Sequence, residues 1–350
     1  MLWFLKETMK AFVMAAGAGT RLRPLTYAIP KPMVPVVNKP VIFYTLENLM
    51  RHGIHNAVLN LHHYPGMIKK YFKDGSQLGM NISYSYEKKL LGTAGGVKKM
   101  QDFFDTTFVV MSGDGLTDID LTKAIKYHKA KKALGTMVLK AVDTKFEYGV
   151  TLTDKTGKII KFIEKPRWSD VFANTVNTGI YIFEPEIFRH IPKGRFYDFG
   201  LQLWPELLKK KKKIYGYVMD EYWTDVGNLV EYRQGIRDAL DGKIKIRIPG
   251  EQVKPGVWVG KGTVIDKKAK LIAPSVIGSY CYIGKNAVIG EYTTIADHSR
   301  ISSGAKIKNS ILWGNVDVLK NVNLDNCIIG RGAQVSADIS VYEGTVLNIE

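Results

Sequence analysis

Toward the C-terminus a bulky apolar side chain recurs at every sixth position: Val259, Ile265, Leu271, Ile277, Ile283, Ile289, Ile295, Ile301, Ile307, Trp313 and Leu319. A period of six matches neither the roughly 3.6 of a helix nor the roughly 2 of an ordinary strand, so it constrains the fold more than any other feature of the chain. Four residues after most of these positions sits a small side chain (Thr263, Ala269, Ser275, Cys281, Ala287, Thr293, Ser299, Ala305), as a tight corner beside a stacked aliphatic requires. The pattern predicts a hexapeptide solenoid, a parallel β-helix whose rungs bury their aliphatics against one another and gain stability from stacked neighbours. Its phase slips near Asp325 and resumes at Ile329, Val335, Val341 and Leu347, which reads as a loop or a re-phased coil.

Ahead of the solenoid, strand-like runs (Phe12 to Met14, Ala57 to Leu61, Thr107 to Met111) alternate with helical stretches (Val41 to His52, Pro65 to Phe72, Leu121 to Lys131). Such alternation predicts an α/β Rossmann-like domain, a mostly parallel sheet wrapped by helices. Leu229 to Leu240 reads as a connecting helix and Ile248-Pro249-Gly250 as a hinge, placing a domain boundary near residue 245, between a domain of residues 1–245 and a solenoid of residues 246–350. The solenoid resembles the left-handed β-helix family. Its flat sides and exposed coil ends suit contact between copies, so a homo-oligomer assembled through it is expected.

Lysine and arginine outnumber acids by 50 to 33, a formal charge of +17, which favours anionic partners. The run Lys209 to Lys213 reads as a solvated face, and no module or aromatic-basic stripe points to nucleic acid. Cys281 and Cys327 have no zinc spacing and make no disulfide framework, and no apolar stretch approaches the roughly 18 residues of a membrane span. A cytoplasmic location and no membrane partner are expected. Lys10 to Met14 reads as the first strand, leaving residues 1–9 as an extension or an ordered lead-in.

That strand is followed by Gly17-Ala18-Gly19-Thr20-Arg21-Leu22-Arg23-Pro24-Leu25-Thr26, and then by Pro30-Lys31-Pro32. Glycines at a strand-to-loop turn let backbone N–H groups approach an anion, and Arg21 and Lys31 add charge for a triphosphate. The whole string resembles the sugar-1-phosphate nucleotidyltransferase family. The resemblance implies nucleotide binding by Gly17, Gly19, Thr20 and Arg21, and by the glycine-rich segment Leu91 to Gly96, where Gly92 and Thr93 would lie against the base. Glu87 either accepts hydrogen bonds from guanine, whose edge offers the two donors a carboxylate suits, or is a strand-end acid in water.

Ser112-Gly113-Asp114 follows a strand at the carboxyl edge of the expected sheet, where α/β proteins bind ligands. Trp223-Thr224-Asp225-Val226-Gly227 resembles the family's late metal motif, and Asp114 with Asp225 forms a pair of hard ligands suited to Mg²⁺. Asp118 and Asp120 compete for the first role, but Asp120 is better explained as a helix N-cap. Glu147 to Val150, Phe162 to Pro166 and Val176 to Gly179 resemble the sugar-phosphate pocket. Lys165 would meet the phosphate, Glu164 and Asn177 sugar hydroxyls, and Gly149 a sugar edge, although Asn177 could equally shape a turn. Asp198-Phe199 adds a weaker candidate lining, and His62-His63, adjacent on a strand end, would diverge rather than share a metal.

The catalytic set implied by the resemblance is Arg21, Lys31, Asp114, Lys165 and Asp225. Leu-Gly-Thr-Ala-Gly-Gly, Val-Asn-Thr-Gly and the opening Val257-Trp258-Val259-Gly260 further resemble the guanylyltransferase members, which implies GTP and mannose 1-phosphate giving GDP-mannose and pyrophosphate. The alternatives are glucose 1-phosphate with dTTP, ATP, UTP or CTP, and a non-catalytic regulatory relative that binds nucleotide-sugar.

Overall fold

A computed structural model describes residues 9–142 and 148–347; Glu147 and residues 1–8 of the expected lead-in of residues 1–9 lie outside the described residues. The chain forms two compact units, one of residues 1–20, 29–33 and 41–226, the other of residues 21–28, 34–40 and 227–350.

The first unit is built on a nine-stranded sheet. Its strands are β1 (Lys10–Met14), β2 (Asn56–Leu61), β3 (Asn81–Tyr86), β4 (Phe108–Ser112), β6 (Gly135–Ala141), β7 (Val150–Thr153), β8 (Ile159–Ile163), β9 (Thr175–Phe183) and β10 (Ile214–Met219). A short ribbon of β5 (Gly115–Thr117) and β11 (Trp223–Asp225) stands apart from it. Helices α1 (Val41–Arg51), α2 (Pro65–Phe72), α3 (Gly92–Lys99), α4 (Leu121–Lys131) and α5 (Trp204–Lys209) complete the unit. The run β3-β2-β1-β4 is parallel, as the alternating pattern predicts. Beyond it β9 runs antiparallel to β4, β6 and β7, so the sheet is mixed. Apolar strand residues pack on both faces: Val13, Leu59 and Met111 meet α1 residues Ile42, Leu46 and Leu49 on one, while Phe12, Val58 and Val110 join an aromatic cluster of Phe108, Phe183, Phe188 and Trp204 on the other. Asp120 caps α4 by accepting from the Lys123 N–H at 3.0 Å, the role its sequence position predicts.

The second unit is a three-sided parallel β-helix, consistent with the left-handed type. Coils pair at 18-residue spacing first, Val259 with Ile277 and Ile277 with Ile295. From there the spacing is 17: Ile295 pairs with Leu312, Ile307 with Leu324 and Val318 with Val335. The phase thus slips first at Ile307 to Leu312 and again at Leu324 to Ile329, beside the expected Asp325, and each slip is a shortened corner, a re-phased coil rather than an inserted loop. Asn309 and Asn326 stand at the short corners with φ of 50° and 56°, a conformation asparagine tolerates better than most side chains. The correction has a packing consequence. Leu312 and Val318 fill the interior stack, while Trp313 and Leu319, which the unbroken sixfold phase places inside, do not belong to it.

Helix α6 (Leu229–Leu240), read from the sequence as a connector, packs within this unit along the column of short corners. Arg233 donates to the Asn326 carbonyl at 2.9 Å, Arg237 lies 3.4 Å from Asn309 Oδ1, and the Trp313 indole N–H donates to the Tyr232 hydroxyl at 3.1 Å. At the expected hinge Gly250 adopts φ 99°, and Glu251–Lys254 then adds an antiparallel strand beside Val257–Val259.

Two leucines test the corrected phase. Leu312→Ala removes a fully buried side chain and is expected to cost about 3 kcal/mol in urea unfolding. Leu319→Ala, at a half-buried position, is expected to cost under about 1 kcal/mol; equal losses would restore the unbroken sixfold phase.

Candidate active site

Because β1, β2, β3 and β4 are parallel and in register (Met14 opposite Asn60 and Ser112, Leu61 opposite Tyr86), their carboxyl ends share one edge. The segments that follow them, around Gly17, His62, Glu87 and Asp114, therefore emerge side by side, where open α/β sheets place ligands. Gly17 is exposed, and a Cβ there would meet nothing within 4 Å; Gly19 has φ 62°, and Thr20 is exposed. Arg21 is exposed and belongs to the segment 21–28 of the other unit.

Asp114 and Asp225 are brought together by the β5–β11 ribbon, which pairs Gly115 with Asp225, and by the Val226 N–H donating to the Asp114 carbonyl at 3.1 Å. Lys31 stands between them, its Nζ 2.6 Å from Asp114 Oδ2 and 2.9 Å from Asp225 Oδ1. Burial opposes the Lys31 charge, but the two carboxylates outweigh it and hold its pKa above the ordinary value. Burial likewise works against ionised Asp114, while Lys31 and the Ser112 hydroxyl, which donates to it, keep its pKa below the usual carboxylate range. The sequence reading sent Lys31 to the phosphates; the structure pairs it with both aspartates. Trp223 extends the arrangement, its indole N–H donating to the Thr178 carbonyl at 3.1 Å. Among the described residues no group of three or more His, Cys, Asp or Glu converges as a metal cage.

The segments around Gly149, Glu164 and Asn177 lie close together. The Asn177 N–H donates to the Gly149 carbonyl at 2.7 Å, and a β-bulge between Asn177 and Tyr181, with Gly179 at φ 73°, offsets Asn177 from the regular ladder. The Asn177 side chain donates to the Tyr181 hydroxyl at 2.9 Å and accepts from the Gly179 N–H at 3.0 Å, so it shapes the turn. Glu164 is tucked against Gly149 and Gly200, either of which would collide with its carboxylate if it carried a side chain. Burial, then the neighbouring Asp198 carboxylate, pushes the Glu164 pKa up against the opposing pull of Lys165. Lys165 is exposed, in a left-handed conformation with φ 46°. Asp198 accepts from Thr93 Oγ1 at 2.8 Å and from the Gly200 and Leu201 N–H groups, joining the glycine-rich segment to the segment that carries Gly200.

Glu87 departs from the sequence reading. It is neither a base-reading side chain at the surface nor a solvated acid, being 2% exposed, with Oε1 accepting from Asn60 Nδ2 at 2.8 Å and Oε2 from the Leu91 N–H at 2.9 Å. The glycines beside it have a packing cause too. A Cβ at Gly92 would lie 2.6 Å from the Tyr197 carbonyl oxygen, one at Gly95 2.8 Å from the Arg195 carbonyl oxygen, and one at Gly96 2.6 Å from Glu87 Oε1. These residues admit neighbouring protein rather than a base at those faces. His62 Nδ1 bonds the Glu87 carbonyl at 2.8 Å, which accounts for it without a metal. Asn60, Ser112 and Trp223 are the contributors the sequence reading missed; Ser112 and Trp223 sit inside the motifs that pointed to the aspartates, and nothing local marks Asn60.

The fold is that of an α/β protein whose paired aspartates and lysine gather beyond the carboxyl edge of its sheet. The nucleotidyl transferase family model matches residues 10–242, and the model described as GMPPB C-terminal domain matches residues 271–350. The chain is 42% identical over 309 residues to a UTP--glucose-1-phosphate uridylyltransferase of Synechocystis, covering 79% of this chain and 80% of that protein. It is 32% identical to a mannose-1-phosphate guanylyltransferase of Mycobacterium tuberculosis (75% and 76% covered), and 31% identical to the mannose-1-phosphate guanylyltransferase catalytic subunit beta of Danio rerio (97% and 91%). The crystal structure of HddC from Yersinia pseudotuberculosis shares the fold, with TM-score 0.58 and 24% identity over 66% of this chain and 99% of that one. The chain belongs to the nucleotidyl transferase family and is a sugar-1-phosphate nucleotidyltransferase.

Lys31→Met leaves two carboxylates facing each other, half-buried, and is expected to cost about 3 kcal/mol or more in thermal or urea unfolding. Asp114, with its lowered pKa, contributes stability above the ordinary carboxylate range that is lost on acidification; Lys31, with its raised pKa, contributes stability that is lost as the pH rises beyond its ordinary 10.5. The deficit of the variant is therefore largest near neutrality and narrows at both extremes. Glu164 has the opposite sign for an acid. Its raised pKa gives stability at low pH that is lost as the pH climbs through the raised value, so Glu164→Gln is expected to melt no lower than wild type at neutral pH while losing affinity for the hexose phosphate.

Proposed function

We propose that the enzyme joins a nucleoside triphosphate to a hexose 1-phosphate, with GTP and mannose 1-phosphate as the substrate pair, giving GDP-mannose and pyrophosphate. The convergence of Asp114 and Asp225 on one cation, beside the open Gly17–Thr20 loop, carries the chemical reading. The match of residues 271–350 to the GMPPB C-terminal model and the guanylyltransferase relatives spanning nearly the whole chain support the substrate pair. A second reading, UTP with glucose 1-phosphate, is favoured by the 42% identical uridylyltransferase and by the engagement of Glu87 elsewhere.

The hexose phosphate oxygen attacks the α-phosphorus while pyrophosphate leaves in line, so the protein's task is positioning and charge neutralisation. Backbone N–H groups at Gly17, Gly19 and Thr20 bind the triphosphate, Gly92 and Thr93 border the nucleotide, and Arg21 stabilises the charge growing on pyrophosphate. Lys31 supplies positive charge between the aspartates. Gly149, Glu164 and Asn177 orient the sugar, and Lys165 holds its phosphate. Two carboxylate oxygens brought around one cation are a donor set that fits Mg²⁺, which Asp114 and Asp225 would hold with phosphate oxygens and water completing its shell. When bound, Mg²⁺ neutralises charge on the reacting phosphates.

The exposed Val264, Ile272 and Tyr342 on the sides of the β-helix support assembly into a homo-oligomer. Free, buried Cys281 and Cys327 suit a reducing cytoplasm, and no helix among the described residues is long and apolar enough to cross a membrane.

Pyrophosphate release with Mg²⁺ across ATP, GTP, CTP, UTP and dTTP, each with mannose or glucose 1-phosphate, tests the proposal. The expected maximum is GTP with mannose 1-phosphate; a maximum at UTP with glucose 1-phosphate selects the second reading. Arg21→Ala is expected to lower kcat by about a hundredfold, the size of losing one preorganised charge contact, and an unchanged rate would remove Arg21 from the mechanism.

A further inference from the structure

Asn60 and Glu87 are buried polar side chains with no part in the proposed chemistry, yet they lie between two segments that have one. Ala15, at the root of the Gly17–Thr20 loop, donates its N–H to Asn60 Oδ1 at 2.7 Å. Asn60 Nδ2 donates to Glu87 Oε1 at 2.8 Å, and Glu87 Oε2 accepts from the Leu91 N–H at 2.9 Å. Asn60 is 4% and Glu87 2% exposed, so water is a poor substitute for either partner. The neighbourhood is fitted to the pair: His62 fastens the Glu87 backbone carbonyl, and a Cβ at Gly96 would sit 2.6 Å from Glu87 Oε1 and 3.0 Å from Asn60 Nδ2.

We propose that Asn60 and Glu87 are positioning residues, a buried relay that sets the phosphate loop and the Leu91-Gly92-Thr93 segment at the spacing a nucleotide requires. The proposal rests on the reading that those two segments bind the nucleotide. Its chemistry is directional. A backbone N–H at Ala15 only donates, which turns the amide oxygen of Asn60 toward it and leaves the amide nitrogen facing position 87. The N–H of Leu91 also only donates. Position 87 must therefore accept at both atoms, which a carboxylate does and a carboxamide does not. Glu87→Gln makes a donor face a donor at one end of the relay, and Asn60→Asp sets two carboxylates within hydrogen-bonding distance. The double exchange restores every bond: aspartate at 60 accepts from Ala15 and from the amide of glutamine at 87, whose oxygen accepts from Leu91.

The test is a four-member cycle of wild type, Glu87→Gln, Asn60→Asp and the double variant. It is read by the KM of the nucleoside triphosphate giving most turnover, the KM of the hexose 1-phosphate, and hydrogen exchange at the Ala15 and Leu91 amides. Each single variant is expected to raise the nucleotide KM about tenfold, the effect of one unsatisfied charge-bearing hydrogen bond, with little change for the hexose phosphate. Asn60→Asp is expected to recover on acidification, as the facing carboxylates come to share a proton. The double variant is expected to return the nucleotide KM to within about threefold of wild type and to regain exchange protection at both amides. A double variant no better than its worse parent overturns the proposal, as do single variants with wild-type nucleotide KM. If a single variant does not fold, a folded and active double still supports the relay, and an unfolded double overturns it. Failure of wild type to release pyrophosphate with any substrate pair would sink the substrate reading instead, and the exchange measurements would still decide whether the relay exists.

Discussion

Two carboxylates in one half-buried place repel unless a cation lies between them, and in this structure the cation is the ammonium of Lys31. Lys31 and Asp225 are 194 positions apart, yet they meet at 2.9 Å. That single contact depends on most of the first unit: β1 must deliver the loop that leads to Lys31, β4 must end at Ser112, and the β5–β11 ribbon must turn Asp225 back toward Asp114. The charge balance works in both directions. Taking lysine away exposes a repulsion, and taking either carboxylate away leaves an ammonium with half its partners in a site where solvent offers little relief.

The second dependence is on parallel strands in register. Four strands entering from one side release four segments on the other, so residues far apart in sequence share an edge without any long connection. The segment around Asn177 is built by a different means. There β9 runs antiparallel and is interrupted by the bulge at Thr178 and Gly179, and the Trp223 indole fixes the Thr178 carbonyl beside it. The glycine-rich segment and the segment opening at Asp198 are joined through Thr93 and Asp198, which share a hydrogen bond at 2.8 Å.

Periodicity and short motifs carry information along the chain, and what they carry was readable. The solenoid, the parallel strands of the first unit, the helices around them and the nearness of Gly149, Glu164 and Asn177 follow from repeats and contiguous strings. What was not readable depends on which partner a side chain meets. Glu87 looks alike in sequence whether its carboxylate faces a base, water or an asparagine from β2, and only the parallel pairing of β2 with β3 decides for the asparagine. The glycines at 92, 95 and 96 satisfy a base and a neighbouring backbone equally well until Arg195 and Tyr197 are seen against them. The corner at Asn309 escaped because Trp313 is large and apolar and keeps the sixfold count alive, although its indole is turned toward Tyr232.

That shortened corner also governs how such a chain can change length. Coils of 18 and of 17 residues stack here on the same interior column, and α6 lies along the corner where the difference arises. A single-residue insertion elsewhere on a rung would rotate every later side chain out of its column, whereas duplication or loss of a complete rung would leave the column intact. The β-helix is thus a ruler graduated in whole turns. Arg233 and Arg237, reaching from the helix to two successive corners, tie α6 to the rungs at which the graduation changes.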